Sequence, residues 1–342
     1  MLVSSAPALA EDRWDQLDAL IRRDPARRGL IESESGQLPL CLNHLRAAID
    51  HLARFGKTVW LITGFYIPGA VPPAAETDGP PGTSLLAAAL SALGMNVRIL
   101  TDGGCAECVS FVAGQYELPC GTVIALPNDV EQVDQWVRDA LRSEPSLSHV
   151  IAVERVGPAR TVADFGRSAG GYRTEFVAQV PADHHGRCHN MRGVIIDEYT
   201  APLHRVLELS AAARPGLRTI GVGDGGNELG MGAIPWHEVR SRLAGPAAPL
   251  IPCRIATDWT ILAGVSNWGA QAIAAGCLAR RGRHDLLEAW TADREEQRLK
   301  DLVQSGLAVD GVTRLYEPTV DGLPFLTYIQ PWEGMRRLFL PK

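Results

Sequence analysis

The sequence predicts an α/β fold in which a mainly parallel sheet is covered by helices on both faces. Short apolar runs rich in valine and isoleucine alternate along the chain with stretches that show helical periodicity. The runs are short enough for strands buried on both faces, and several end in turns that contain glycine or aspartate. This alternation indicates a Rossmann-like, three-layer arrangement.

The elements follow in chain order. The first predicted helix covers residues 38–55, where Leu42, Leu45, Ile49 and Leu52 recur at steps of three and four. The predicted strands are residues 58–63, 97–101, 122–126, 150–153 and 219–222. The helices predicted between and after them are residues 83–93, 130–142 and 283–306.

The chain divides most simply into a helical N-terminal extension, residues 1–56, and one α/β domain, residues 57–342. No internal repeat or low-complexity linker suggests a further boundary. In a parallel sheet of this kind, ligands gather where loops leave the carboxyl ends of the strands. Those loops are therefore the first place to look for a functional site.

Composition and charge exclude several classes of function. Basic and acidic residues, 33 and 39 in number, are mixed along the chain, and the net charge of −6 argues against nucleic acid as a partner. No apolar run reaches the roughly 20 residues needed to cross a bilayer. Seven cysteines without an export signal are expected to be reduced. We expect a cytoplasmic protein that binds a small molecule, has no membrane partner and could form a homo-oligomer.

The densest functional signal is a glycine-rich loop at residues 221–232, directly after a predicted strand. Six glycines surround Asp224, Asn227 and Glu228, and glycine permits positive φ and close approach of a ligand, as at Gly225 and Gly226. The loop also matches the dinucleotide fingerprint, but the required acid after the next strand is missing, so no nucleotide is expected. The alternative is a structural turn in which Asp224 caps a helix.

Two further clusters carry polar residues. Arg155 and Arg192 each offer a planar fork for a substrate carboxylate, although either arginine could pair with a neighbouring acid instead. A proline-rich loop at residues 72–83 leads into a helix whose first N–H groups could bind an anion, and the alternative is ordinary helix capping by residues such as Asp78.

The spacing of cysteines and histidines suggests an alternative kind of site, a structural zinc site. Cys105 and Cys108 have the spacing of a zinc site, and residues 184–189 add two adjacent histidines, a cysteine and a third histidine. A second Cys-x-x-Cys pair is absent from the sequence, which weighs against a structural zinc ion.

Short sequence motifs recur in a characteristic order along the chain, at residues 63–65, 76–82, 101–102, 154–155, 190–193, 221–232, 265–269, 310–313 and 320–322. The most distinctive motif is Gly-Asp-Gly-Gly-Asn-Glu, within residues 221–232. Together these strings resemble one family, the carboxy-terminal catalytic domain of D-glutamate cyclase and its free-standing bacterial relatives, and their order makes the resemblance specific. The segment 183–189 departs from the family pattern.

The resemblance implies a lyase that closes D-glutamate into 5-oxo-D-proline with loss of water. The residues expected to catalyse the reaction are Asp224, Glu228 and Asn227, with either acid as the base that takes the amine proton. The residues expected to bind substrate are Arg155, Arg192, Asn190, Asn267, Thr63, Asp78, Gly225 and Gly226. A Mg²⁺ or Mn²⁺ ion at Asp102, Asp224 and Glu228 is an alternative means of neutralising the carboxylate.

Two other functions stay open, the first because of the departure at residues 183–189 and the second because the function rests on a resemblance. The chain could act as a cyclase or lyase on a different acidic amino acid, or bind acidic metabolites without catalysis.

Overall fold

The computed structural model describes residues 11–31, 39–166 and 170–340. Its strands are β1 (Thr58–Ile62), β2 (Tyr66–Ile67), β3 (Ala74–Glu76), β4 (Asn96–Asp102), β5 (Val123–Leu126), β6 (Leu147–Val153), β7 (Arg218–Gly223), β8 (Trp259–Leu262), β9 (Ala308–Val309), β10 (Thr319–Val320) and β11 (Leu323–Pro324). Its helices are α1 (Glu11–Ile21), α2 (His44–Phe55), α3 (Pro80–Ala92), α4 (Ala106–Gln115), α5 (Val130–Ser143), α6 (Gly170–Gln179), α7 (His204–Ala213), α8 (Trp236–Arg242), α9 (Ser266–Arg280), α10 (His284–Ala289), α11 (Ala292–Gln304), α12 (Phe325–Tyr328) and α13 (Gln330–Phe339).

The main sheet confirms the predicted fold class. Its strands pair in the order β5-β4-β1-β6-β7-β8, and every neighbouring pair is parallel. The chain builds one half of the sheet outward from β1 and then crosses to β6 to build the other half, as in a doubly wound sheet. The loops after β1 and β6 therefore enclose a crevice at the point where the strand order reverses.

The side chains of β1 alternate between the two faces of the sheet, which explains why helices cover both faces. Val59 and Leu61 belong to a buried cluster on one face of the sheet, with side chains of α2, α3 and α9. Trp60 and Ile62 belong to a second cluster on the other face, with side chains of α5, α7 and α8. Successive side chains of a strand point to opposite faces, so a strand that is apolar throughout needs cover on both.

Two small sheets bring the C-terminal part of the chain to the carboxyl edge of the main sheet. Strand β3 pairs in parallel with β9, so that Glu76 lies opposite Val309. Strands β10 and β11 form an antiparallel hairpin around Asp321. These pairings place the loops that follow β9 and β10 beside the loops of β1 and β6.

The structure corrects two predicted helices. The helix expected over residues 283–306 is divided into α10 and α11, because the chain turns at Trp290 and the Thr291 side chain caps α11. The helix expected over residues 38–55 begins only at His44, since Asn43 has a left-handed backbone with φ of 64°. Residue 38 lies outside the described residues.

The segment ahead of β1 is integrated into the domain. Trp14, Leu17 and Ile21 of α1 belong to the same buried cluster as α9, and the backbone O of Ile21 accepts the N–H of Gly264 at 2.8 Å. The segment then continues to Arg28, which reaches the carboxyl edge of the sheet. The described helices include none with the length and apolar character needed to span a membrane.

A buried histidine pair makes the fold sensitive to acid. His149 is fully buried, and its Nε2 lies 3.0 Å from Nδ1 of His51. Burial is the main cause that lowers the pKa of His149 to about 3, and the nearby His51 is the second. The Arg218 charge also lowers this pKa, whereas the Asp258 charge raises it. The unfolded chain takes up a proton near pH 6.5, whereas the folded chain does not, so acid favours the unfolded state.

We expect the free energy of unfolding to fall by about 1.4 kcal/mol per pH unit from this histidine as the pH drops from about 6.5 towards 3. Urea unfolding of the wild type and of His149→Gln at several pH values measures the contribution as a difference in slope. Identical pH slopes for the two proteins would contradict the prediction.

Candidate active site

A cavity of about 150 Å³ lies at the carboxyl edge of the main sheet. Its size suits a small metabolite. Phe65 follows β1, Glu154 follows β6 and Asp224 follows β7, so the cavity occupies the predicted crevice. Its charged and amide lining consists of Glu76, Glu154, Asp224, Asp321, Arg28, Arg192, Arg314, Asn190 and Asn227.

Backbone strain marks the same place. Three residues that line the cavity have a left-handed backbone although none is glycine: Glu154 with φ of 44°, Asp321 with φ of 55° and Arg314 with φ of 62°. Such conformations persist only where surrounding contacts enforce them, and they concentrate at functional sites. The strain therefore supports a functional role for the cavity.

Arg28 joins two of the buried acids. Its guanidinium forms an ion pair with Oδ2 of Asp224, and its Nη2 lies 2.8 Å from Oδ1 of Asp321. Burial raises the pKa of Asp224 well above its ordinary range, while the Arg28 charge acts in the opposite direction. The net effect is a raised pKa, so Asp224 can take up a proton near neutral pH, and the Arg28 charge is what opposes that uptake.

Glu154 forms no ion pair with a cation of the described residues. Its Oε2 accepts the hydroxyl hydrogen of Ser266 at 2.5 Å. Burial raises the pKa of Glu154 well above its ordinary range, and the nearby carboxylates of Asp224 and Glu228 raise it further. Glu154 is therefore suited to carry a proton near neutral pH, next to an acid suited to accept one.

The glycine-rich loop after β7 uses its glycines to fold back on the strand. A Cβ atom on Gly221 would lie 2.4 Å from the backbone O of Leu229, and Gly230 has φ of 105°. Close backbone contact of this kind requires glycine at both positions. The loop does not open directly into a helix, since α8 begins only at Trp236.

Glu228 holds this loop together. Its Oε1 accepts the N–H of Gly225 at 2.7 Å and that of Asp224 at 3.2 Å, and its Oε2 accepts the N–H of Gly226 at 2.7 Å. The N–H groups of Gly225 and Gly226 are thus used within the loop, and neither glycine lines the cavity. Glu228 also does not line it, so we assign all three residues a structural role.

Replacing Glu228 by glutamine puts an N–H₂ group against backbone N–H donors. We expect the free energy of unfolding to fall by about 1–3 kcal/mol, the cost of a buried donor without a partner. Urea unfolding measures the loss, and Glu131→Gln in α5 is the surface control. Stability equal to that of the control would show that Glu228 is not the clamp of the loop.

Four predicted site residues line the cavity: Asn190, Arg192, Asp224 and Asn227. The Asn227 side chain donates to the backbone O of His189 at 2.8 Å, and its buried Oδ1 has no hydrogen-bond partner among the described residues. Asn190 accepts the backbone N–H of Arg192 at 2.9 Å and so fixes the turn that carries this exposed arginine. These four residues keep their predicted roles as proposals.

Arg155 was predicted to hold a substrate carboxylate, but it does not line the cavity and is only 1% exposed. Its guanidinium donates to Oδ2 of Asp102 at 2.5 Å and to the backbone O atoms of Gly64 and Ala201 at 2.8 Å. These contacts tie together the ends of β1, β4 and β6. We therefore assign Arg155 a structural role, in which it holds the loops around the cavity in place.

Asn267 and Asp78 join the starts of two helices and do not line the cavity. Oδ1 of Asn267 accepts the N–H groups of Gly79 and Gly82 at 3.0 and 2.7 Å, at the beginning of α3. The Asp78 carboxylate accepts the N–H groups of Ser266 and Asn267, both at 2.8 Å, at the beginning of α9. Asp78 thus caps α9, whereas the alternative drawn from the sequence was a cap on the helix that directly follows its own loop, α3.

Thr63 also lies outside the cavity lining, although it was predicted to bind substrate. It follows β1 directly, and its buried hydroxyl lies beside Gly79.

The predicted metal set is not assembled. Asp102 pairs with the buried arginine described above, whereas oxygen atoms of Glu154, Asp224 and Glu228 lie within 4.8 Å of one another. The oxygens of Glu228 already accept three N–H groups, and Asp224 pairs with Arg28. A divalent ion there would have to compete with these partners. Oxygen atoms of Asp78, Asp224 and Asp321 form a second group within 4.8 Å of one another, and this group shares Asp224.

The zinc interpretation finds no support in the described residues. Cys105 and Cys108 are buried, and burial raises the pKa of the Cys108 thiol to about 12, which disfavours the thiolate that binds zinc. The possible metal-binding groups found in the described ranges consist of carboxylates. His184 and His189 contact each other instead, with Nδ1 and Nε2 at 2.9 Å.

Five charged residues of the cavity were not predicted as site residues: Arg28, Glu76, Glu154, Arg314 and Asp321. Glu76, Glu154 and Asp321 lie in strings that carried the family resemblance, so the sequence did contain a signal for them. Arg28 and Arg314 belong to none of those strings.

The fold is that of an α/β protein with a cavity at the switch point of a doubly wound sheet. The chain belongs to the family described as D-glutamate cyclase-like, C-terminal, whose model matches residues 17–164 and 177–332. It is 30% identical over 351 aligned residues to the D-glutamate cyclase, mitochondrial, of Homo sapiens, a match that covers 94% of this chain and 51% of the relative. The chain therefore spans about half the length of that curated relative. The family resemblance seen in the sequence is confirmed.

Proposed function

We propose that this protein closes D-glutamate into 5-oxo-D-proline with loss of water, as a carbon–oxygen lyase. The α-amine nitrogen forms a bond to the γ-carboxyl carbon, one carbon–oxygen bond breaks, and the departing oxygen leaves as water. The name of the human relative supplies the substrate and the type of reaction. The observation that carries the proposal is the buried pair Glu154 and Asp224, which lines a small cavity; among the described residues, Arg28 forms an ion pair with Asp224 and none with Glu154.

The two acids take opposite roles in this proposal. Asp224, with its negative charge favoured by Arg28, accepts the proton that the amine loses. Glu154, whose pKa is raised by burial and by neighbouring carboxylates, donates the proton that lets the γ-carboxyl oxygen depart as water. An acid and a base held side by side in fixed geometry meet both demands of the cyclisation.

Asn227 positions the amine. Since its side-chain N–H is bound to the backbone O of His189, its free Oδ1 faces the ligand as an acceptor and suits an amine hydrogen. Arg192, at the exposed mouth, supplies positive charge for an incoming dicarboxylate.

A panel of acidic amino acids separates this proposal from its alternatives. D-glutamate, L-glutamate, D-aspartate and D-2-aminoadipate are incubated with the protein, with EDTA or with Mn²⁺, because a divalent ion would compete with Arg28 for Asp224. Turnover of D-glutamate above the others supports the proposal. Preference for another acid favours a cyclase of different specificity, and saturable binding without product favours a non-catalytic binder.

The cellular setting is also a proposal. All seven cysteines are unpaired, which agrees with a reducing compartment such as the cytoplasm. A homo-oligomeric state stays a prediction.

A further inference from the structure

Arg314 is the arginine of the cavity lining that has no hydrogen-bond or ion-pair partner among the described residues. Its Nε is buried and unsatisfied. The other two arginines of the lining are engaged: Arg28 pairs with two acids, and Arg192 donates to the backbone O of Val312 at 3.2 Å. A buried guanidinium atom without an acceptor is costly, so a ligand acceptor is expected there.

The loop that carries Arg314 is fixed before any ligand arrives. Fully buried Asp310 accepts the N–H groups of Val312 and Thr313, both at 2.9 Å, and that of Gly322 at 2.7 Å. The backbone O of Asp310 also accepts the N–H of Arg314 at 2.8 Å. These bonds hold Arg314 in its left-handed conformation, so the arginine is preorganised at a cost in strain.

Gly69 also limits where the Arg314 guanidinium can lie. The guanidinium packs against Gly69, where an added Cβ would lie only 2.8 Å from Nη1 of Arg314. Gly69 itself lines the cavity, so the contact holds the planar group at the cavity wall. A planar, fixed fork of N–H donors matches the two oxygens of a carboxylate.

We propose that Arg314 is the specificity residue that binds the α-carboxylate of the substrate, the carboxylate that survives the reaction. This inference rests on the proposed function. The reacting γ-carboxyl group needs to lose its charge beside the buried Glu154, whereas the α-carboxylate stays ionised throughout. A permanent cation therefore serves the α-carboxylate, which it binds equally in substrate and product.

The test compares two ligands that differ by this carboxylate. Binding of 5-oxo-D-proline and of 2-pyrrolidinone, which lacks it, is measured by calorimetry for the wild type, Arg314→Met and Arg314→Lys. We expect Arg314→Met to weaken 5-oxo-D-proline binding at least about tenfold, with a smaller loss for Arg314→Lys, and to leave 2-pyrrolidinone binding unchanged. Arg142→Met, on the exposed surface of α5, is the matched control.

The outcomes separate this inference from the proposed reaction. Arg314-dependent binding of 5-oxo-D-proline without any turnover of glutamate would support the α-carboxylate site and overturn the cyclase proposal. Equal loss of both ligands in Arg314→Met, or no loss of either, would overturn the inference whatever the turnover. A wild type that binds neither ligand would overturn it as well. Where turnover occurs, a specificity role raises KM for D-glutamate more than it lowers kcat.

Discussion

Replacing Glu154 by glutamine is expected to lower the turnover of D-glutamate at least about a hundredfold while the protein stays folded. The amide keeps an oxygen that can accept the Ser266 hydroxyl, so the local packing survives. It has no acidic proton to give to the departing oxygen, and removal of a general acid costs about 10²–10⁴ in rate. Asp224→Asn should lower turnover by a similar factor, because the amide cannot accept the amine proton.

Three controls accompany the Glu154→Gln experiment. Glu131→Gln, on the surface of α5, should leave turnover unchanged. Glu228→Gln should destabilise the loop yet retain more activity per folded molecule than Glu154→Gln. Thermal unfolding of each variant establishes that folded protein is compared. Activity of Glu154→Gln within a few-fold of the wild type would exclude Glu154 as the proton donor.

Arg155→Met is expected to lower the free energy of unfolding by about 3–5 kcal/mol, the usual cost of removing one partner of a buried ion pair. The substitution leaves the Asp102 carboxylate buried without a counter-charge and frees two backbone carbonyls. Arg205→Met is the matched control, because Arg205 pairs with Asp134 closer to the surface, and we expect it to cost about 1 kcal/mol or less.

Urea unfolding of both variants measures the difference, and Arg155→Lys provides a milder substitution if Arg155→Met does not fold. The lysine keeps the charge but cannot reach all three acceptors of the guanidinium fork. If Arg155 instead held a substrate carboxylate, Arg155→Met would be nearly as stable as the wild type and would lose ligand affinity. That result would contradict the structural role.

The sequence predicted the sheet and the location of the site because both depend on local patterns. Runs of valine and isoleucine identified β1 and β4–β7 closely, and the glycine-rich loop identified Asp224 and Asn227. The prediction of one continuous helix over residues 283–306 was wrong, since periodicity alone does not show where Thr291 caps a new helix.

Partners distant in the chain could not be predicted from such patterns. Arg155 and Arg192 offer the same chemistry, and only the strand order shows that Asp102 ends beside the former. Arg28 comes from a segment that looked like an extension, and its place beside Asp224 depends on how that segment packs. The identity of the cations that lie at the cavity therefore depends on the tertiary structure and not on local sequence patterns.

The most direct test of the cyclase proposal is the product formed from each isomer of glutamate. Purified wild-type protein and the Glu154→Gln variant are each incubated separately with D- and L-glutamate. The formation of 5-oxoproline is followed by chiral chromatography. We predict 5-oxo-D-proline from D-glutamate with the wild type and at least about a hundredfold less with the variant. Folded wild-type protein that forms no 5-oxoproline from either isomer would contradict the proposal.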